Sequence, residues 1–318
     1  MSMYVIGDIH GCYSEFMQLV DKIEAQDDDA KFILVGDIID RGPEQLKMLD
    51  WAMDNVNKPD SKFQMIMGNH EYEKIDLLYE YIDEYEENGR AYWQHDLYRF
   101  NELIEEANYP IEKIKDIYEF ITSLPLYIQY ECKLGSHKQN YIIVHGDMPS
   151  DCINKDETVR KWMFTAKRRY LYSLRGTSLT FDIVWPRNSC GHPELKKTIV
   201  VHGHTPTILA GPFMYQGYIL YNAHDINVDC GIAYRVHDKN ANLAAIRLED
   251  LKEFYLYGDG ERMALLDGAR DYKEEMIHRP RKRHKKDEGF DLNEIDISLL
   301  RFKNAQMREQ LEMDNSVD

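Results

Sequence analysis

The sequence of 318 residues is 43% hydrophobic and 30% charged, an ordinary globular composition with room for one large domain plus additions, or two modest ones. Its formal net charge of −17 argues against a protein that coats nucleic acid over its whole surface. No apolar stretch approaches the ~20 residues that span a bilayer; Tyr4-Val5-Ile6 is too short for a signal peptide, and five scattered cysteines (Cys12, Cys132, Cys152, Cys190, Cys230) with no Cys-x-x-Cys pair predict a reduced, cytoplasmic setting.

Along the chain, Met3 to Ile6 is a short apolar run that ends at Gly7-Asp8. A helix is predicted over Tyr13 to Ala25, where Phe16, Leu19, Val20 and Ile23 share one face. Phe32 to Val35 forms a second apolar run, ending at Gly36-Asp37. A helix over Glu44 to Asn55 follows Pro43, which suits a first helical turn. Phe63 to Met67 forms a third run, ending at Gly68-Asn69-His70. Glu71 to Glu87, Asp96 to Ala107 and Ile111 to Ser123 then read as an acidic, tyrosine-rich helical insertion over residues 71–123. Tyr141 to Val144 ends at His145-Gly146, and Ile199 to Val201 ends near Gly203-His204. Asp156 to Leu174 is a further candidate helix, and late strands are predicted around Tyr218 to Tyr221, Ile226 to Asp229 and Ala241 to Leu248. The order predicts an α/β layered domain over residues 1–250. A C-terminal extension, 251–318, carries a basic linker (279–286) and an amphipathic helix with Ile295, Leu299 and Phe302 at helical spacing. The basic run could touch RNA phosphates, and the terminal helix could bind a partner or a second copy; a solvated linker is the plainer reading.

Five times a buried-strand pattern runs into a glycine flanked by a ligand-type residue, and in helix-covered sheets ligand sites gather at strand carboxyl ends. The inventory is Asp8, His10, Asp37, Asn69, His145 and His204. Carboxylate, imidazole and amide oxygen without cysteine suit manganese, iron or zinc in a catalytic site rather than a structural zinc. Two divalent ions held ~3.5–4 Å apart need a bridging carboxylate, and Asp37 lies in the middle of the series.

Gly7-Asp8-Ile9-His10-Gly11, Gly36-Asp37-Ile38-Ile39-Asp40-Arg41-Gly42 and Gly68-Asn69-His70-Glu71 resemble the three signatures of calcineurin-like metallophosphoesterases. More narrowly they resemble the phosphoprotein phosphatase branch with its bacterial and phage members. His145-Gly146, Gly203-His204-Thr205-Pro206 and Asn227-Val228-Asp229-Cys230-Gly231 extend the resemblance over roughly residues 3 to 248. It implies two mixed sheets packed as a sandwich and flanked by helices. It also implies the six metal ligands above around two divalent ions, manganese ahead of iron or zinc, with a bridging hydroxide that attacks a phosphate ester in line. His70 would protonate the leaving oxygen, Asp40 would orient His70, Arg41 would bind the phosphoryl group, and Arg187 is the candidate second phosphate-binding arginine.

Pro206 stands where nuclease relatives carry a second histidine, which disfavours nuclease chemistry. The resemblance implies a serine/threonine, or tyrosine, protein phosphatase. Symmetrical dinucleoside tetraphosphatases and related RNA-decapping enzymes share most of the motifs, including Gly11-Cys12-Tyr13 and Arg41-Gly42-Pro43; many lack the aspartate found here as Asp40. A non-catalytic regulatory or nucleic-acid-associated protein on the same fold would have lost a ligand, His70 or Arg41, and none is lost.

Overall fold

The computed structural model describes residues 2–93, 96–148, 184, 198–209, 217–222, 224–258, 273, 276 and 277. The predicted helix over Asp156 to Leu174, the candidate Arg187, the basic run from Arg279 to Lys286 and the terminal helix lie outside the described residues.

Three parallel strands form the middle and one edge of the first sheet: β1 (Ser2–Ile6), β2 (Ala30–Leu34) and β3 (Phe63–Met65). Each connection carries a helix, α1 (Tyr13–Glu24) after β1 and α2 (Gln45–Asn55) after β2, as parallel pairing requires. Between the first sheet and the second come α3 (Asn69–Asn88), α4 (Phe100–Glu106) and α5 (Ile111–Ser123). The second sheet holds β4 (Tyr127–Leu134), β5 (His137–Val144), β6 (Thr198–His202), β7 (Leu220–Tyr221) and β8 (Asp225–Asn227) in the order β4-β5-β6-β8-β7. The chain then returns to the first sheet with β9 (Ala244–Arg247), antiparallel to β1, and β10 (Glu253–Tyr255) as its edge. Both sheets are mixed, and helices flank them.

Alternation of side chains along the strands builds two apolar layers. Met3, Val5, Ile33 and Val35 from the first sheet pack with Tyr141, Ile143, Ile199, Val201 and Ile226 from the second, which makes the inter-sheet core. Their neighbours Tyr4, Ile6, Phe32 and Leu34 face the other way, onto Phe16, Leu19 and Ile23 of α1 and Met48 and Leu49 of α2. At roughly 1.5–3 kcal/mol per fully buried aliphatic side chain, this double burial fixes strand register, because a one-residue slip would exchange the two layers.

Several boundaries differ from the sequence pattern for identifiable reasons. The third helix starts at Asn69, two residues before the apolar period begins, since polar residues in a first turn leave no hydrophobic signal. The next helix begins at Phe100 rather than Asp96, because the Asp96 carboxylate accepts the Phe100 N–H at 2.9 Å and fixes the chain just before the helix. β4 and β10, which the pattern did not predict, are edge strands in which buried and open positions mix.

Candidate active site

Six parallel or edge strand ends deliver the polar residues. The turn after β1 carries Asp8 and His10, that after β2 carries Asp37, Asp40 and Arg41, and the first turn of α3 after β3 carries Asn69 and His70. His145 follows β5, His204 follows β6 and Asp229 follows β8. These turns are sharp. Backbone φ is positive at His10 (46°), Asp37 (50°), Asp40 (66°), Arg41 (67°) and His204 (68°), a left-handed region that ordinary side chains enter at a cost of ~1–3 kcal/mol. The glycines are needed for space as well: a Cβ on Gly203 would stand 2.0 Å from Asp8 Oδ1, and one on Gly68 would stand 2.2 Å from Asp37 Oδ1.

Glu71 holds the strained turn at Asp37. Its carboxylate accepts the backbone N–H groups of Asp37 (2.7 Å), Ile38 (2.9 Å) and Gly68 (3.0 Å), tying the β2 and β3 turns together beneath the site. Burial, with the nearby Asp37 charge, pushes Glu71 up to about 7, against the pull of those N–H bonds.

Asp37 lies at the centre. Its Oδ2 is 3.6 Å from His10 Nε2, 3.4 Å from His145 Nε2 and 3.9 Å from His70 Nε2, while its Oδ1 accepts the His70 backbone N–H at 2.9 Å. Asn69 Oδ1 stands 2.9 Å from His145 Nε2 and 2.8 Å from His204 Nδ1. Asp8 accepts the His204 N–H at 3.1 and 3.2 Å, and its Oδ2 is 4.0 Å from His10 Nε2. All of these side chains are buried.

Their electrostatics follow from that burial. Desolvation, then the Asp229 charge, raises Asp8 well above the carboxylate range. Burial would raise Asp37 too, but the imidazoles of His145, His70 and His10 outweigh it and hold Asp37 well below its usual value. Desolvation and the Arg41 guanidinium lower His10. For His145 burial works against charge, yet the Asp37 carboxylate prevails and the ring is pushed up to about 10. Burial raises Asp229 to about 6, opposed by the Gly231 N–H and by Arg41.

This donor set fits divalent cations. His10 Nδ1 is 2.9 Å from the Ile39 carbonyl and His145 Nδ1 is 2.8 Å from the Val35 carbonyl, so each Nδ1–H donates outward and each Nε2 turns to the centre. There the nitrogens meet Asp37 Oδ2 and Asn69 Oδ1, which are acceptors. Acceptor groups pointed at one another repel unless a positive charge lies among them. Protein atoms alone supply a proton on His145 and the Arg41 guanidinium at His10 Nε2; a cation would serve the whole set. His10, Asp37 and His70 bring ligand atoms within 4.8 Å of one another, as do Asp37, His145 and His204.

Beside this cluster His70 Nδ1 donates to Asp40 Oδ2 at 2.6 Å, and Arg41 Nη2 is 2.9 Å from His70 Nε2. Arg41 Nη1 also reaches His10 Nε2, and the guanidinium lies beside the rings of Tyr98 and Tyr234. Arg41, Asn69, His70, Glu73, Asp96, Leu97 and Tyr98 line a cleft of about 200 Å³.

The structure thus brings together Asp8, His10, Asp37, Asn69, His145 and His204, with His70, Asp40 and Arg41 alongside; Arg187 lies outside the described residues. His202 faces away, with Nε2 3.2 Å from Asp225 Oδ2. Sequence reasoning passed over Asp229, which ends a strand before a glycine as the other site residues do. It also passed over Lys74, whose Nζ lies 3.1 Å from Asp40 Oδ2; the available signal was its place one helical turn after His70, on the same face.

A sequence model described as calcineurin-like phosphoesterase matches residues 1–234. The symmetrical bis(5'-nucleosyl)-tetraphosphatase of Buchnera aphidicola subsp. Baizongia pistaciae is 39% identical over 77 residues, 24% of this chain and 26% of that protein. Its counterpart in Wigglesworthia glossinidia brevipalpis is 39% identical over 90 residues, 28% and 31% of the two chains. The chain therefore spans less than a third of the length of these relatives. Among solved structures, a protein serine/threonine phosphatase from Saccharomyces cerevisiae superposes with a TM-score of 0.52 at 14% identity over 82% of each chain, a likeness of fold.

Manganese added at a hundred times its dissociation constant is expected to stabilise the protein by about 2.7 kcal/mol, read as a rise in unfolding temperature. Asp37→Asn is expected to abolish the rise; an unchanged unfolding temperature with manganese, iron(II) and zinc alike would remove the metal reading. Glu71→Gln, which replaces one acceptor oxygen by a donor, should cost about 1–3 kcal/mol in denaturant unfolding of the metal-free protein. A loss of a few tenths would show that the three N–H groups find other partners.

Proposed function

The chain belongs to the calcineurin-like phosphoesterase family; from that premise we propose that it is a metal-dependent phosphoester hydrolase and that it hydrolyses phosphate monoesters on serine or threonine side chains of proteins. The observation that supports this substrate class is the 2.6 Å bond from His70 Nδ1 to Asp40 Oδ2. A serine alkoxide is a poor leaving group and needs a proton as the P–O bond breaks. A nucleoside diphosphate leaves as a stable anion and needs none. An imidazole backed by a buried carboxylate suits the first demand.

In this reading Asp8, His10, Asp37, Asn69, His145 and His204 would hold two divalent ions. Carboxylate, amide and imidazole donors together suit manganese, iron or zinc, and manganese is the ion we put first on the family resemblance. Bound there, the ions supply Lewis acidity and lower the pKa of a water. Arg41 moves its guanidinium fork onto two phosphoryl oxygens and steadies the charge that builds on them. His70 gives the proton on Nε2 to the departing serine Oγ, which takes the electron pair of the broken P–O bond. Asp40 holds Nδ1–H throughout, so the ring keeps Nε2 aimed at the leaving oxygen.

A second reading, hydrolysis of dinucleoside polyphosphates or of an RNA cap, draws on the similarity to the symmetrical tetraphosphatases over the motif-bearing part of the chain. The three substrates are best compared in parallel, with manganese, as a phosphoserine peptide, diadenosine tetraphosphate and a capped RNA. We expect kcat/KM for the peptide to exceed the others by at least tenfold, about 1.4 kcal/mol in transition-state binding. The reverse order would assign the enzyme to the nucleotides. His70→Asn is expected to lower kcat about 100-fold or more on the phosphopeptide, and far less on 2,4-dinitrophenyl phosphate, whose phenolate leaves unaided. Equal losses on both would mean that His70 is not the proton donor.

A further inference from the structure

Behind the His70–Asp40 pair lies a buried lysine that the proposed reaction does not use. Lys74, on α3, is 1% exposed. Its Nζ donates to Asp96 Oδ2 at 2.8 Å and stands 3.1 Å from Asp40 Oδ2, the same oxygen that receives His70 Nδ1–H at 2.6 Å. Asp96 is itself fixed: its Oδ2 also accepts the backbone N–H of Phe100, at the start of α4. The rings of Phe100 and Tyr98 lie beside the ammonium at 5.3 and 5.9 Å, and Tyr98 also packs on His70 with ring centroids 5.1 Å apart. A continuous line of charged contacts therefore runs from the segment between α3 and α4 to the proton-bearing imidazole: Phe100 N–H, Asp96, Lys74, Asp40, His70.

Burying an ammonium costs several kcal/mol unless it is paired, and this one is paired on two sides. A surface pair would tie the helices together with less expense. The geometry also gives the lysine something to do. Among the described residues Asp40 Oδ1 has no hydrogen-bond partner, and there Lys74 and His70 are the side chains that hold this carboxylate by its Oδ2. Without the ammonium the carboxylate could rotate about its Cβ–Cγ bond, and the imidazole would lose its fixed plane.

We infer that Lys74 is a positioning residue for leaving-group protonation: anchored by Asp96, it locks the Asp40 carboxylate in the orientation that aims His70 Nε2 at the leaving oxygen. The inference rests on the reading of His70 as proton donor and adds to it a specific dependence on the helical insertion.

The test compares Lys74→Met, the charge-balanced pair Lys74→Met/Asp96→Asn, and His70→Asn, each with manganese. Each variant is assayed on a phosphoserine peptide, phenyl phosphate, p-nitrophenyl phosphate and 2,4-dinitrophenyl phosphate. The paired variant leaves Asp40 as the one charge of the cluster, as in the wild-type sum, and so guards against failure of the single variant to fold. For either Lys74 variant kcat should fall roughly tenfold or more on the two poorest leaving groups, the scale usual for a residue that orients a reacting one. On 2,4-dinitrophenyl phosphate it should fall less than about twofold, with KM little changed. A loss equal on all four substrates, or no loss on any, would leave Lys74 a structural ion pair and overturn the inference. If His70→Asn shows the leaving-group dependence and the Lys74 variants do not, the inference fails alone; if His70→Asn shows none, the proton-donor reading fails and carries the inference down with it.

Discussion

Asp8, Asp37 and Asp229 are each almost wholly buried, and each lies in the electrostatic field of the others. An ionised carboxylate taken out of water costs several kcal/mol even after relaxation, and three in one place repel besides. Four imidazoles and a guanidinium stand around them. The protein atoms settle this conflict by dividing protons unevenly: Asp37 stays ionised beneath the imidazoles, Asp8 and Asp229 are driven towards their neutral forms, and His145 holds a proton. Divalent cations at the same point would relieve all of these at once. The arrangement is therefore poor as a core and good as a cation site, and the rest of the fold can be understood as what keeps it from collapsing.

Two features keep it so. The sheets are rigid where the site needs rigidity, since β1 and β2 place side chains in both apolar layers, which fixes their register. The turns beyond those strands are then bent into left-handed conformations that aim His10, Asp37 and His204 inward. Such turns would relax if their backbone groups were free. At the β2 and β3 turns Glu71 prevents that by binding three such groups, at the cost of a carboxylate buried next to Asp37; Asp8 accepts the His204 N–H.

Most of the strands and most of the site could be read before any coordinates, and for one reason: in each case an apolar run stops at a glycine next to a ligand-type residue. That signal is local. It marks Asp8, Asp37, Asn69, His145 and His204 equally well; Asp229 has its glycine two residues on, at Gly231, and the same pattern there reads as a plain strand end. Edge strands β4 and β10 were less legible, since partly exposed positions blur the alternation. The pairing of Lys74 with Asp96 was illegible for a different reason. They sit in an acidic helical stretch where a lone lysine reads as a surface counter-charge, and their partnership joins positions 22 residues apart with Asp40 a further 34 before Lys74. Nothing in a linear pattern distinguishes an ion pair that is buried from one that is not.

The two sides of the site are built differently, and that difference bears on substrate choice. The cation side is made by strand ends from both sheets, whose packing leaves little freedom to vary. The opposite side, where the leaving group of the proposed reaction would sit, is made by α3 and the segment before α4: Glu73, Asp96, Leu97 and Tyr98 line the cleft there with Arg41 and His70. Leu97 is 76% exposed, a large apolar side chain held at the rim of a charged pocket, where it can touch whatever carries the phosphate. In the proposed reaction, chemistry that depends on cations would be anchored in the sandwich, and contact with the rest of the substrate would fall to the helical insertion. The Asp96–Lys74–Asp40 contacts are where these two halves meet, so a change in the insertion that alters the fit to a substrate also acts on His70, the proposed proton donor.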